Sequence, residues 1–125
     1  MLTLRAVFMA HISFVQEFPS VPRLIFQELQ HAKPTQLKGR VQKLMADYRS
    51  LLSKVMAQLH EEGQMRPDVD LKGAVVLFMG AVQGLVMQSL VTGSLKDMSN
   101  QAKTVFNIYE AGLLVQPKTE SRRRQ

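Results

Sequence analysis

Hydrophobic side chains recur every three or four positions through most of the chain, and the strict alternation of hydrophobic and polar residues that marks a strand is absent. Since an α-helix has 3.6 residues per turn, this spacing places the hydrophobic side chains on one face of each helix. Turn-forming residues interrupt the pattern at EFPSVP, HAKPT, EEGQMRPDVD, TGSLKDMSN and VQPK. The chain is therefore predicted to be all-α, an antiparallel bundle of about five helices.

Particular residues set the predicted ends of these helices. The first two are expected at about residues 2–16 and 21–31, with Pro22 in the first turn of the second, where an N–H is not needed. The third begins near Leu37 and ends at Gly63. The last two cover about residues 70–92 and 99–114, and Asp68 or Asp70 is expected to cap the fourth helix through its carboxylate.

The fourth predicted helix has no charged residue between Gly73 and Gly93, so it has no polar face to turn toward water. It also contains Gly80 and Gly84, and each helical glycine costs about 0.5–1 kcal/mol relative to alanine. Three arrangements fit such a helix: a membrane span, burial inside one domain, or contact with the domain's own core on one face and with a second chain on the other.

We favour the contact with a second chain. The glycines lie close to one stripe of the helix and, because they lack a Cβ, they let another helix approach closely. Amphipathic helices surround the segment and polar residues interrupt it, which argues against a membrane span. The simplest such assembly is a twofold homodimer. The residues expected at its interface are Gly73, Val76, Gly80, Gly84, Val91, Val105 and Tyr109.

Charge and composition exclude several other functions. The formal net charge is +6, and the segment PKTESRRRQ contributes four basic side chains and one acidic side chain. We expect residues 117–125 to form a disordered, solvated tail. Cysteine is absent, which excludes thiolate chemistry and suits a cytoplasmic location. Because the sequence shows no nucleophile elbow, phosphate-binding glycine loop or metal-ligand spacing, we expect no enzymatic activity, cofactor or metal ion.

Three segments together resemble the C-terminal half of TetR/AcrR-type transcriptional regulators: EFPSVPRLIFQEL, LHEEGQMRPDVDLKGAVVLFMGAVQGLVMQSLVTGS and AKTVFNIYEAGL. The resemblance covers about residues 18–114. It implies that residues 1–116 form an effector-binding and dimerisation domain, whose last two helices pair with those of a second copy in an intermolecular four-helix bundle. It also implies that a small, mostly apolar effector binds among the first, third and fourth helices and controls DNA binding in a full-length form.

Large, flexible side chains on these helices are the candidates for lining the effector pocket. They are Phe8, His11, Ile12, Met45, Tyr48, Leu52, Met56, Met79, Gln83 and Met87. Methionine suits an adaptable apolar site, although methionines at helical spacing are also typical of an ordinary core. The Gln83 amide needs a partner, which a ligand, a neighbouring chain or a backbone group can supply. His11 is expected either to orient a polar group of the ligand or to lie at the boundary of the core.

One part of the family pattern is missing from this sequence. Such regulators carry a helix-turn-helix DNA-binding domain before the effector-binding region, and the residues before Leu2 leave no room for it. We therefore expect operator DNA to be contacted only through an N-terminal domain that is absent from this chain. The alternative function is a protein–protein module without a ligand, in which a chain lacking the DNA-binding domain pairs with a full-length relative.

Overall fold

Five α-helices make up most of the protein in the computed structural model, which describes residues 1–30, 32–33 and 35–115. They are α1 (Leu2–Glu17), α2 (Ser20–Leu29), α3 (Gln36–Glu61), α4 (Leu71–Thr92) and α5 (Met98–Leu113), and a short 3-10 turn at Leu95–Asp97 precedes α5. The prediction of an all-α bundle of five helices is confirmed. The predicted tail at residues 117–125 lies outside the described residues.

The residues that end the helices act largely as expected. Pro22 lies in the first turn of α2, and Gly63 follows α3 with a φ of 75°, a left-handed conformation that favours glycine. The expected carboxylate cap of α4 is wrong. Asp70 occupies the N-cap position but makes no side-chain capping hydrogen bond. The Asp68 carboxylate is occupied elsewhere, because it accepts a hydrogen bond from Arg66 at 3.2 Å.

Helices α1, α3, α4 and α5 enclose one hydrophobic core. Phe8 of α1 lies at its centre, with ring centroids 5.3 Å from Phe78 of α4 and 5.2 Å from Phe106 of α5. Edge-to-face and tilted ring contacts of this kind add to the stabilisation that comes from burying apolar surface. The largest fully buried side chains are Phe8, Phe78, Phe106, Leu4, Ile12, Leu52, Met56, Met65, Met98 and Val82.

Helix α4 has two different faces although its sequence is apolar all round. One face packs in the core and includes Val75, Phe78, Val82 and Val86. By length and composition α4 could cross a membrane, but 44% of its most apolar window is buried inside the protein, and the core helix of a soluble protein passes the same test. Packing on the core therefore accounts for only half of its apolar character, and the outward face requires a separate explanation.

Candidate dimerisation face and effector site

The outward sides of α4 and α5 form a continuous apolar surface, which we call the α4–α5 face. Its most exposed side chains are Val91, Ile108, Val76 and Leu77, with exposed fractions of 78%, 70%, 65% and 59%. Isolated exposed apolar residues are normal on a protein surface, whereas a contiguous patch is typical of an interaction site. The face consists of Gly73, Val76, Leu77, Gly80, Gln83, Gly84, Met87 and Val91 of α4 and of Val105, Ile108 and Gly112 of α5.

A groove of about 250 Å³ runs along this face between the two helices. Leu77 and Ala81 form its α4 side, and the α5 side includes Val105, Ile108 and Gly112. The lining is almost entirely apolar. Covering this apolar surface so that it no longer contacts water would be favourable by about 25 cal/mol for each Å². The groove therefore suits an apolar side chain from another molecule.

Three glycines of the α4–α5 face have open space around them in the single chain. A Cβ atom built on Gly80, Gly84 or Gly112 meets no heavy atom within 4 Å. Any of the three could carry a side chain without a clash inside the protein, and alanine would favour the helix by about 0.5–1 kcal/mol. The internal packing of the chain therefore gives no reason for glycine at these three positions.

A second candidate site lies where α1 meets α3 and α4, and we call it the His11–Tyr48 cluster, which comprises His11, Met45, Tyr48 and Phe78. His11 Nδ1 and the Tyr48 hydroxyl are 3.2 Å apart, and both side chains are half-buried. Their rings are in edge contact at 5.5 Å, and the Tyr48 ring lies 6.3 Å from that of Phe78. Because α1, α3 and α4 each supply one ring, the cluster joins three helices through aromatic contacts and one polar pair.

Burial keeps both polar groups of this cluster uncharged near neutral pH. Desolvation lowers the pKa of His11 below its ordinary value of 6.5, because a charged imidazolium loses hydration when it is buried. Desolvation also raises the pKa of Tyr48 to about 12. The pair therefore presents a neutral imidazole and a neutral phenol.

The other predicted pocket residues fall into two groups. Phe8, Ile12, Leu52 and Met56 are fully buried, and Met79 is nearly so, which makes them side chains of the core. Gln83 and Met87 are exposed and lie on the α4–α5 face, so the structure does not bring them together with the other eight. Among the predicted interface residues, Tyr109 is buried, and its hydroxyl donates to the Ala74 carbonyl at 2.5 Å while the ring borders the groove.

The sequence-based prediction missed several residues of both sites. Leu77 and Ile108 border the groove, and the signal for them was present, because Leu77 adjoins Val76 and Ile108 follows Val105 by one helical turn. Phe78 completes the His11–Tyr48 cluster, and an aromatic residue within the apolar helix was the available signal. Outside both sites the prediction also missed Arg5, whose guanidinium bonds to Glu110 at 2.6 Å and lies 4.8 Å from the centre of the Phe106 ring.

Another concave region of about 460 Å³ lies at the end of the bundle where α1 begins and α3 ends. Its lining is mixed, with the polar side chains of Gln58, Glu62 and Gln64 beside Leu2 and Leu59. None of the predicted pocket residues borders it, and its carboxylates and amides already bond to neighbours, as Gln64 does to Glu62 at 2.8 Å. Size alone therefore does not make this region the effector site.

Comparison with known proteins places these features in context. The family model described as "Tetracyclin repressor-like, C-terminal domain" matches residues 25–105. The solved structure of a TetR family transcriptional regulator from Chloroflexus aurantiacus J-10-fl superposes with a TM-score of 0.68 at 17% sequence identity. The match covers 90% of this chain and 58% of that one, so this chain spans little more than half of its length. At this identity the likeness shows the fold alone. No curated protein matches the chain.

Proposed function

The chain belongs to the family of tetracyclin repressor-like C-terminal domains, and on that premise we propose that two copies pair through the α4–α5 face to form the dimerisation and effector-binding part of a TetR-like transcriptional regulator. The family match lies within the part of the sequence that resembles such regulators, and that resemblance is confirmed. The observation that carries the proposal is that three glycines without a packing reason in the single chain, Gly80, Gly84 and Gly112, lie on the apolar α4–α5 face, whereas Gly39, which has the same open space, stands between Lys38 and Arg40.

Twofold pairing would use both the glycines and the exposed hydrophobic side chains of the α4–α5 face. The glycines allow the α4 helices of the two copies to approach closely, and the exposed valines, Leu77 and Ile108 then lose their contact with water. A twofold interface is self-complementary, because the same surface is used by both copies. Gln83 on this face would find its polar partner in the second copy, which suits an amide inside an uncharged helix.

Effector binding at the His11–Tyr48 cluster would be coupled to this interface through α4. Phe78 is in ring contact with Tyr48 of the cluster, and the neighbouring Leu77 of the same helix lines the groove. Helix α1 provides a second connection, because His11 contacts Tyr48 of α3 while Arg5 binds Glu110 of α5. A ligand that alters the packing around Phe78 would therefore favour one arrangement of the two copies over another.

In a full-length form, this arrangement would set the distance between two DNA-reading domains. Binding of effector and binding of operator DNA would then be linked through one shared equilibrium, and each would change the affinity for the other by the same factor. Two helix-turn-helix domains must match two half-sites one helical turn of DNA apart, so a small change in their spacing is enough to weaken binding.

Cysteine crosslinking tests the proposed pairing directly, because the chain has no cysteine of its own. We propose to introduce Gly84→Cys and Ile108→Cys separately and to treat each variant with a short bis-maleimide. Both should give a covalent dimer at low micromolar concentration. The matched control is Leu44→Cys, whose exposed position lies on α3 and away from the proposed interface. Crosslinking of the control alone, or equal weak crosslinking of all three, would contradict the proposal.

A further inference from the structure

The polar pair of the His11–Tyr48 cluster has one hydrogen-bonding position left over. His11 Nδ1 faces the Tyr48 hydroxyl at 3.2 Å, and among residues 1–30, 32–33 and 35–115 no hydrogen-bond partner is shown for the other ring nitrogen. Polar atoms in half-buried positions usually have a partner, either protein or water. The remaining nitrogen is therefore the group through which this cluster can recognise something that is not part of the fold.

The surroundings of this nitrogen favour rings. Tyr48 and Phe78 are in edge contact at 6.3 Å, and Phe78 in turn contacts Phe8 at 5.3 Å. Met45 lies one helical turn before Tyr48, is half-buried, and has the flexible thioether that adapts most easily to an added ring. An aromatic molecule beside Tyr48 would extend this series of ring contacts at the edge of the core.

The same surroundings disfavour a charged molecule. The ion pairs Arg5–Glu110, Lys43–Asp47 and Arg66–Asp68 include no residue of the cluster. Both His11 and Tyr48 are neutral near pH 7 for the reasons given above, so neither supplies a counter-charge. A carboxylate, sulfonate or ammonium group would lose hydration on entering without gaining an opposite charge from His11 or Tyr48.

We propose that the His11–Tyr48 cluster binds an uncharged, ring-containing effector that carries a single hydroxyl or carbonyl group hydrogen-bonded to the free nitrogen of His11. This inference rests on the proposed effector-binding function and narrows the class of effector. If the Tyr48 hydroxyl donates to Nδ1, then Nε2 carries the proton and donates to the oxygen of the effector. If Nδ1 donates to Tyr48, then Nε2 accepts a hydrogen bond from a hydroxyl, so a phenolic group satisfies either tautomer.

Three naphthalene derivatives test this proposal: 1-naphthol, naphthalene and 1-naphthalenesulfonate, which share a ring system and differ in the polar group. Binding is measured by titration while the imidazole signals of the protein are followed by NMR. We expect 1-naphthol to bind most tightly and to shift the His11 signals, while those of the exposed His60 stay fixed. The absence of tryptophan allows the naphthol fluorescence to give the affinity independently.

Two variants identify the contact. Tyr48→Phe removes the hydroxyl that orients His11, and His11→Phe removes the recognising nitrogen. Each should weaken 1-naphthol about five- to tenfold relative to naphthalene, the loss expected for one neutral hydrogen bond that naphthalene does not form. Circular dichroism shows whether each variant is folded. His60→Gln is the control for histidine replacement and should leave all affinities unchanged.

The outcomes separate this inference from the proposed pairing. If 1-naphthol does not bind, binds no better than the sulfonate, or binds the two variants as well as the unmodified protein, the proposed effector class is wrong. Crosslinking through Gly84→Cys and Ile108→Cys would be unaffected by that result, so the dimerisation proposal would stand. Loss of crosslinking with intact naphthol binding would overturn the pairing and leave the effector site in place.

Discussion

Helices α3 and α4 both expose hydrophobic side chains, but they do so in different surroundings. On α3, Leu44 and Leu51 lie among charged residues, including the exposed pair formed by Lys43 and Asp47 at 3.3 Å. On α4, the exposed hydrophobic side chains lie in a stretch with no charge from residue 73 to residue 93. Charged residues between the exposed leucines keep the outer face of α3 hydrated. An exposed leucine therefore suggests an interface only where the side chains around it carry no charge.

The largest difference between the α4–α5 face and the outer face of α3 is expected when a charge is introduced on each and the dimer dissociation constant is measured. In Ile108→Glu the α4–α5 face would have to bury an unpaired carboxylate, at a cost of about 3 kcal/mol or more, so the dimer dissociation constant should rise about a hundredfold or more. Leu44→Glu places the same group on the α3 face and should leave that constant unchanged. Light scattering over a concentration series measures both. Equal effects of the two substitutions would contradict the assigned interface.

Added bulk at a glycine gives the next largest effect. Gly80 and Gly39 both have open space around the position of a Cβ atom, one on α4 and the other on α3. Gly80→Leu should crowd the approach of the second copy and weaken pairing by about 1–3 kcal/mol, whereas Gly39→Leu should not. Both substitutions favour the helix by about 1 kcal/mol within a single chain. If sedimentation shows that Gly80→Leu pairs as tightly as Gly39→Leu, the glycines are not at the interface.

Tyr109 lies beside Ile108 but belongs to the inner side of α5, so its replacement should act on folding and not on pairing. Tyr109→Phe removes the hydrogen bond to the Ala74 carbonyl and should lower the free energy of unfolding by about 1 kcal/mol. The dimer dissociation constant should change little. Urea denaturation followed by circular dichroism, at fixed protein concentration, measures the first effect. A large loss of pairing without loss of stability would place the Tyr109 hydroxyl at the interface instead.

The smallest effect is a pH dependence that comes from His11. Because burial lowers the pKa of His11 below 6.5, the unfolded chain binds a proton more readily than the folded one, and stability should fall as the pH drops below about 6.5. Above that pH His11 is neutral in both the folded and the unfolded chain, so its contribution to the free energy of unfolding no longer changes with pH. His11→Gln should flatten this part of the stability curve, and His60→Gln, at an exposed site, provides the control. An unchanged slope in His11→Gln would show that another group is responsible.

The fold could be predicted well because most of its helices are amphipathic, and amphipathic helices show in the sequence which face is buried. Of the hydrophobic positions that recur every three or four residues on α3, Val41, Leu52 and Leu59 are buried as the periodic pattern predicts. Leu37, Leu44 and Leu51 share that spacing but are exposed. Gly63 and Pro22 predicted helix boundaries because their stereochemistry favours helix ends in any protein.

The faces of α4 could not be assigned in the same way. A helix that is apolar all round gives no periodic signal for orientation, so Gln83 and Met87 were grouped with pocket residues although they lie on the exposed face. The glycines gave a partial signal, because residues without a Cβ mark one side of a helix even where hydrophobicity does not distinguish its faces. The contact between His11 and Tyr48 joins residues 37 positions apart, and only the packing of α1 against α3 reveals it.

The mass of the unmodified protein in dilute solution tests the pairing through the α4–α5 face most directly. Sedimentation equilibrium over a dilution series should give a species of twice the 14.1 kDa chain mass, dissociating only at the lowest concentrations. A single species of 14.1 kDa throughout the micromolar range would contradict the account, because the uncharged outer side of α4 would then be stable in water without a second copy.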